Sequence, residues 1–132
     1  MRWAIFFLVI VFVTNLVGIY FRFYEYWWFD MSLHFLGGFF MAMLFGTYFA
    51  NTNFPSKKER WLAVVGAATF IGVVWEFAEY TAAQTLIEPL YNNFGFRAYF
   101  IGDLDDTIND LLMDIVGALT FSVLWLHKID RQ

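Results

Sequence analysis

Residues 3–21 read WAIFFLVIVFVTNLVGIYF, a run that contains no charged side chain. A helix needs about 20 predominantly apolar residues to cross the hydrocarbon core of a bilayer. Three further apolar runs of similar length follow, at residues 31–50, 61–80 and 108–126. The four runs predict an all-α polytopic membrane protein, folded as an antiparallel bundle of four transmembrane helices that forms one domain over residues 1–132.

The composition is typical of a chain whose main solvent is lipid. Of its 132 residues, 61% are hydrophobic and 23% are aromatic, whereas soluble domains are about 45–50% apolar. The chain has no cysteine, which excludes disulfides, a thiolate nucleophile and Cys-ligated metal centres. The net charge is −4 and the basic residues form no cluster with aromatics, so nucleic acid is not an expected partner. The expected partners are membrane lipids.

The basic residues predict how the chain is oriented, because cytoplasmic loops carry an excess of lysine and arginine. If the amino terminus is cytoplasmic, Arg22 and Arg97 lie outside and the other six basic residues lie inside. These six are Arg2, Lys57, Lys58, Arg60, Lys128 and Arg131. We therefore expect both termini in the cytoplasm. The stretch 81–107 is expected to connect the last two spans, with Glu88, Asp103 and Asp105 in loops. Its apolar parts, 86–91 and 94–101, are expected to lie at the membrane interface or to form a short re-entrant piece.

Ionisable residues recur inside three of the predicted spans, where each one is energetically costly. They are Asp30 and His34 in the second span, Glu76 and Glu79 in the third, and Asp110 and Asp114 in the fourth. Spacings of three or four place the members of each pair on one helix face. Because successive spans run in opposite directions, all three pairs fall in the extracytoplasmic half of the bilayer. The sequence thus predicts one shared site facing outward.

Small residues continue the same helix faces toward the cytoplasm. They are Gly38, Ala42 and Gly46 in the second span, Ala68 and Gly72 in the third, and Ala118 and Ser122 in the fourth. Small residues spaced by four allow helix backbones to approach closely in lipid. We therefore expect the bundle to be tightly packed beneath the acidic site. Asn15, Gly18 and Arg22 of the first span are candidates for a further wall of that site.

The charges of the predicted site favour a bound cation, because carboxylates held close together in a low dielectric cannot all remain ionised. Carboxylate oxygens with one imidazole suit a divalent metal ion such as Mn, Fe, Zn or Mg. The predicted ligands are His34, Glu76, Asp110 and Asp114, with Glu79 or Asp30 as the catalytic base. Two alternatives stay open: the acids share protons in a transport path, or they form a structural network in which Asp106 only caps the fourth helix.

Three hypotheses for the function correspond to these interpretations of the acidic site. The first hypothesis is a metal-dependent membrane hydrolase that acts on a lipid-linked substrate of the cell envelope. The second is a proton- or cation-coupled transport or binding element, for which four helices would require a homo-oligomer. The third is an accessory subunit without catalytic activity that packs against a larger membrane partner.

Three motifs resemble a known family: FDMSLHFLGG at 29–38, WEFAEY at 75–80 and DTINDLLMDIVGA at 106–118. They are similar to the YjdF-type inner-membrane family of bacteria and, more distantly, to the VanZ-like family. The VanZ-like comparison singles out Asp30, His34, Glu76, Asp110, Gly117 and Ala118. VanZ-like proteins tend to have amides where this chain has Glu79 and Asp114. The resemblance implies the bacterial inner membrane and a role at the cell envelope, and the two extra acids favour a cation.

Overall fold

Four long helices account for most of the chain. In the computed structural model, which describes residues 1–129 and their side chains as far as Trp125, the helices are α1 (Arg2–Phe21), α2 (Trp27–Tyr48), α3 (Lys57–Phe94) and α4 (Leu104–Ile129). Each is long and apolar enough to cross a membrane, and the described residues include no strand. The predicted all-α bundle of four transmembrane helices is confirmed.

The third helix is much longer than the predicted span of residues 61–80. It continues through residues 81–94, which are rich in helix-forming residues, and it passes through Pro89. It ends at Gly95, whose φ of 65° lies in the left-handed region that glycine adopts without strain. The prediction that residues 81–94 belong to the connection was therefore wrong, and Glu88, expected in a loop, lies on α3. The chain connects α3 to α4 through residues 95–103 alone.

Side chains with hydrogen-bonding groups start both of the later helices. The Ser56 hydroxyl accepts a hydrogen bond from the backbone N–H of Glu59 at the beginning of α3. At the beginning of α4, the carboxylate of Asp103 accepts from the backbone N–H of Asp106 at 3.1 Å. The capping residue of α4 is thus Asp103, and Asp106 does not have the capping role that the structural alternative gave it. Asp105, also expected in a loop, lies in the first turn of α4.

The bundle has two chemically different ends. We call the end at which α1 finishes and α2 and α4 begin the acidic end; the opposite end is the basic end. Arg2 begins α1 and Lys57 begins α3, so both lie at the basic end. The Arg60 guanidinium is anchored there by donating to the backbone carbonyl of Thr52 at 3.1 Å. Two residues of the predicted orientation, Lys128 and Arg131, lie outside the described side chains.

Glycines allow α2 and α4 to pack backbone against backbone. A Cβ atom added at Gly38 would overlap the backbone of Asp114, and one added at Gly117 would overlap the carbonyl of Phe35. Lower in the bundle a cluster of small buried side chains joins α2, α3 and α4. Its members are Ala42, Val64, Val65, Ala68 and Ala118. This close packing holds the three helices that carry the acidic pairs at a short mutual distance.

We expect Gly117→Ala to destabilise the fold by about 1–3 kcal/mol, because the added methyl group has no room against α2. Gly66→Ala is the matched control, since a Cβ at Gly66 in α3 would meet no atom within 4 Å and alanine favours a helix over glycine. Thermal unfolding of both variants in detergent checks this. Equal stability of the two variants would contradict the backbone contact between α2 and α4.

Candidate functional site

The six predicted site residues lie together at the acidic end of the bundle. They are Asp30 and His34 from the first turns of α2, Glu76 and Glu79 from α3, and Asp110 and Asp114 from α4. Five of them are less than a tenth exposed, and Asp30 is partly exposed. The structure therefore brings these residues into one cluster, while the catalytic and metal-binding roles assigned to them stay a prediction.

His34 lies at the centre of the cluster and faces carboxylates from three helices. Its Nδ1 lies 3.3 Å from Oδ2 of Asp114. Its Nε2 lies 3.5 Å from Oδ1 of Asp30 and 3.8 Å from Oε1 of Glu76. Hydrogen bonds from nitrogen to oxygen are normally about 2.7–3.2 Å long, so the two contacts of Nε2 are too long to be strong direct bonds. The carboxylates thus lie around Nε2 at distances longer than a strong hydrogen bond.

The spacing around Nε2 suits ligands of one small ion. Two oxygen or nitrogen ligands that each lie about 2.1 Å from a metal are at most about 4.2 Å apart, and both Nε2 contacts fall within that distance. Two triads of potential ligand atoms, each with its atoms within 4.8 Å of one another, meet at the imidazole. They are Asp30, His34 and Asp110, and His34, Glu76 and Glu79.

Several buried carboxylate oxygens in the cluster have no hydrogen-bond partner among the described residues. They are Oδ1 of Asp30, Oε1 and Oε2 of Glu76, and Oδ1 of Asp110. A buried polar group without a partner is rare in folded proteins, because its desolvation is left without compensation. Protonation of some of these carboxyl groups, or a cation bound among them, would offset that desolvation.

The two outer arginines do not neutralise the cluster. Arg22 forms an ion pair with Glu25 and is mostly exposed, and it has the left-handed backbone conformation that ends α1. Arg97 is also exposed, and its guanidinium lies 4.8 Å from the ring centroid of Tyr91. No arginine with a described side chain pairs with the six site residues. Of the three wall candidates in α1, only Asn15 and Gly18 are buried.

Sequence reasoning missed Tyr24, which follows α1 and lies beside the cluster. Its hydroxyl oxygen accepts a hydrogen bond of 2.7 Å from Nδ2 of the buried Asn15. Because Asn15 occupies a lone pair of that oxygen, the hydroxyl hydrogen is free to point elsewhere. Burial, together with the nearby carboxylates of Asp30 and Glu79, raises the pKa of Tyr24 above its ordinary value. The sequence offered only one signal for this contact, the polar Asn15 in the middle of the apolar first span.

The connection between α3 and α4 returns to the acidic end and contacts Tyr24. The Tyr99 ring lies 5.8 Å from that of Tyr24, and Ala98 is buried. A Cβ at Gly102 would overlap the carboxylate of Asp106, so the connection also lies against the first turn of α4. Burial and the Asp106 carboxylate raise the pKa of Tyr99. Residues 95–103 therefore cover part of the acidic end.

We expect Tyr24 to remain protonated when the pH rises past about 10, the ordinary value for tyrosine. The sign follows from the raised pKa, since the folded protein disfavours the tyrosinate. Ultraviolet titration of the folded protein and of Tyr24→Phe checks this: the two should gain the same tyrosinate absorbance up to about pH 11. A larger gain for the unsubstituted protein near pH 10 would show that Tyr24 ionises normally.

Fold and site together define a four-helix membrane protein with an acidic and histidine cluster buried at one end. Comparison with known proteins places it in a family: residues 1–131 match the family described as "Predicted membrane protein (DUF2238)", and the chain belongs to it. It is also 34% identical over 127 residues to an uncharacterized protein of Thermotoga maritima. The match covers 89% of this chain and 58% of that relative. No solved structure matches the chain.

The family membership agrees with the fold, and the protein is an integral membrane protein. The chain spans little more than half of its Thermotoga relative, and that relative's name gives no activity. The VanZ-like resemblance stays a prediction. Evidence for function therefore comes from the chemistry of the cluster.

Proposed function

We propose that the cluster binds one divalent metal ion and is the active site of a membrane hydrolase that acts on a lipid-linked substrate of the cell envelope. The observation that carries the proposal is the set of buried carboxylate oxygens without partners around Nε2 of His34. These oxygens come from Asp30, Glu76 and Asp110. A divalent cation offsets both their desolvation and their mutual repulsion, whereas protonation would require several of them to be neutral together.

The geometry gives His34 and Asp114 different roles in this proposal. Nε2 of His34 faces the unpartnered oxygens, so it is the nitrogen that we assign to the metal. Nδ1 faces Asp114, and a carboxylate on the far nitrogen of a metal-binding histidine orients the ring and makes it a better ligand. We therefore propose Asp114, predicted from the sequence as a ligand, as the residue that positions His34.

The remaining acid of the cluster is available for proton transfer. A bound divalent ion would polarise a phosphoryl oxygen and lower the pKa of a bound water. Glu79 belongs to the second ligand triad, and its carboxylate oxygens are absent from the set without partners. We assign it the role of general base, which takes a proton from the attacking water. Tyr24, neutral and turned toward the cluster, is suited to donate a hydrogen bond to an anionic substrate.

The packing beneath the cluster favours a binding site over a transport path. Ala42, Ala68 and Ala118 are fully buried where α2, α3 and α4 pack against one another. Gly38 lies against the backbone of Asp114 at the lower edge of the cluster. A conducted proton or ion would have to pass this tightly packed apolar layer, which has no ionisable group among its members. Between α2, α3 and α4 the cluster therefore has no polar path toward the basic end.

The charge distribution supports an orientation with the acidic end outside. The described basic residues of the basic end, Arg2, Lys57, Lys58 and Arg60, are consistent with a cytoplasmic position. We propose that both termini are cytoplasmic, that the membrane is the bacterial inner membrane and that the cluster is reached from its outer leaflet.

We expect the protein, purified in mild detergent without chelators, to contain about one divalent metal ion per chain, as a site with one imidazole and several carboxylates would. Glu76→Gln and Asp110→Asn should each lose most of that metal, because each removes a charged ligand oxygen. Elemental analysis measures the content directly.

The controls are Glu88→Gln and Asp105→Asn, which make the same chemical changes at exposed positions of α3 and α4. Both should keep the metal. A metal-free protein that also fails to take up added Mn or Zn would overturn the proposal, as would equal metal loss in the site and control variants.

Asp114→Asn tests the positioning role separately. Removing the carboxylate beside Nδ1 should weaken metal affinity by about 10–100-fold while leaving the stoichiometry at saturation unchanged. Competition with a fluorescent chelator measures the affinity. Complete loss of binding at saturating metal would instead identify Asp114 as a ligand, and unchanged affinity would remove its role.

A further inference from the structure

Residues of α1 and of the turn that ends it line two cavities of different chemistry. Counting along the helix, the residues that line them are Leu8, Val11, Phe12 and Asn15 for the first cavity and Ile19 and Arg22 for the second. Leu8, Val11, Phe12, Asn15 and Ile19 follow the i, i+3, i+4 pattern of a single stripe on the helix, and Arg22 follows at the turn that ends α1. The stripe runs from apolar side chains deep in the bundle to a charged side chain at the acidic end.

The deeper cavity is apolar and lies between α1, α2 and α3. It has a volume of about 180 Å³, and its walls include Val11 of α1 and Ile71 of α3. At its upper edge it reaches His34 and Asp114, so it opens directly onto the proposed metal site. The rings of Phe12 and Trp75, 6.2 Å apart, approach each other across the gap between α1 and α3.

The outer cavity is polar and carries two cationic side chains. It has a volume of about 350 Å³, and Arg22, Arg97 and the acidic Glu25 line it. Tyr24 and Tyr99 form part of the same wall. Arg22 shares its charge with Glu25, whereas Arg97 contacts a Tyr91 ring and no carboxylate within ion-pair distance among the described residues. Two guanidinium groups and one carboxylate leave this cavity with a formal charge of +1, which favours a bound anion.

The hydrogen bond between Asn15 and Tyr24 lies between the two cavities. Asn15 lines the deeper cavity, Tyr24 lines the outer one, and 2.7 Å separates their polar atoms. A ligand that occupied both cavities would pass this pair and lie beside the acidic cluster. Such a ligand has an apolar part directed into the membrane and an anionic part at its surface.

We propose that this stripe of α1 binds a single-chain lipid phosphate, with its chain in the deeper cavity and its phosphate between Arg22 and Arg97. The inference rests on the proposed function and names the substrate class of that site. Guanidinium groups bind phosphate in paired hydrogen bonds. Outside the protein the chain continues among membrane lipids, which require no further groove.

The size of the deeper cavity limits the ligand to one chain. An apolar cavity of about 150 Å³ holds one benzene molecule, so a volume of about 180 Å³ accommodates a short stretch of one hydrocarbon chain. Two parallel acyl chains at that depth would need α1 to separate from α3. The cavity therefore disfavours a diacyl phospholipid.

The test uses the full chain in phosphatidylcholine vesicles with hexadecyl phosphate that carries a mid-chain diazirine. We expect photolabelling at Val11 and Ile71, mapped by mass spectrometry. Val11→Trp fills the cavity and should reduce this labelling by about tenfold, which corresponds to about 1.4 kcal/mol of binding free energy. Val13→Trp is the matched control, because Val13 lies on the lipid-facing side of the same helix and is 50% exposed.

Further probes separate the parts of the inference. Arg22→Gln combined with Arg97→Gln should reduce labelling by the phosphate, while labelling by hexadecanol with the same diazirine should not change. Equal labelling by a diacyl phosphatidic acid probe would overturn the single-chain inference. Labelling spread evenly over Val11 and Val13, or unaffected by Val11→Trp, would overturn the site itself.

Photolabelling of the cavity and elemental analysis of the metal are independent measurements. A protein that holds its metal but shows no labelling in the cavity would overturn this inference and leave the metal proposal standing. Labelling of the cavity in a protein that takes up no metal would support the lipid site and overturn the metal proposal. Metal content and a single elution peak for Val11→Trp show that the variant is folded.

Discussion

The rest of the structure depends on a cluster of carboxylates that share one imidazole inside an apolar bundle. His34 approaches Asp114 with one ring nitrogen and Asp30 and Glu76 with the other, so side chains from α2, α3 and α4 meet at one point. Burying this many acids is costly in lipid. The cost is tolerable only if the three helices hold the groups where their charge is compensated. The helix packing and the connection at the acidic end can both be understood as serving that requirement.

Close helix packing is the means by which the cluster is assembled. The glycines at 38 and 117 let α2 and α4 touch through their backbones, and this contact places Asp114 within reach of His34. Gly72 of α3 faces the carboxylate of Asp114 in the same way, because a Cβ there would overlap it. The contacts that stabilise the fold are therefore the ones that position the site. α1 stands apart from this arrangement, since it packs mainly on α2 and contributes cavity walls instead of acids.

Much of this could be predicted from the sequence, because both lipid and charge impose strong patterns. The four spans follow from apolar run length, and the cluster follows from acids and small residues spaced by three or four. The buried positions at Gly38, Ala42, Ala68 and Ala118 fall on the stripes that the spacing indicates. What the sequence did not reveal depends on local detail. Pro89 is tolerated inside α3, and Tyr24 reaches the cluster only because the turn after α1 directs it there.

The length of α3 has a practical consequence. Its 38 residues extend about 57 Å at 1.5 Å per residue, whereas the hydrocarbon core is about 30 Å thick. Roughly half of the helix is therefore more than a perpendicular crossing of that core requires, and residues 81–94 at the acidic end are part of this surplus. In electron microscopy of so small a protein, the detergent belt hides most surface features. A long continuous helix at one end is the natural place to attach a larger fiducial by which individual particles can be aligned.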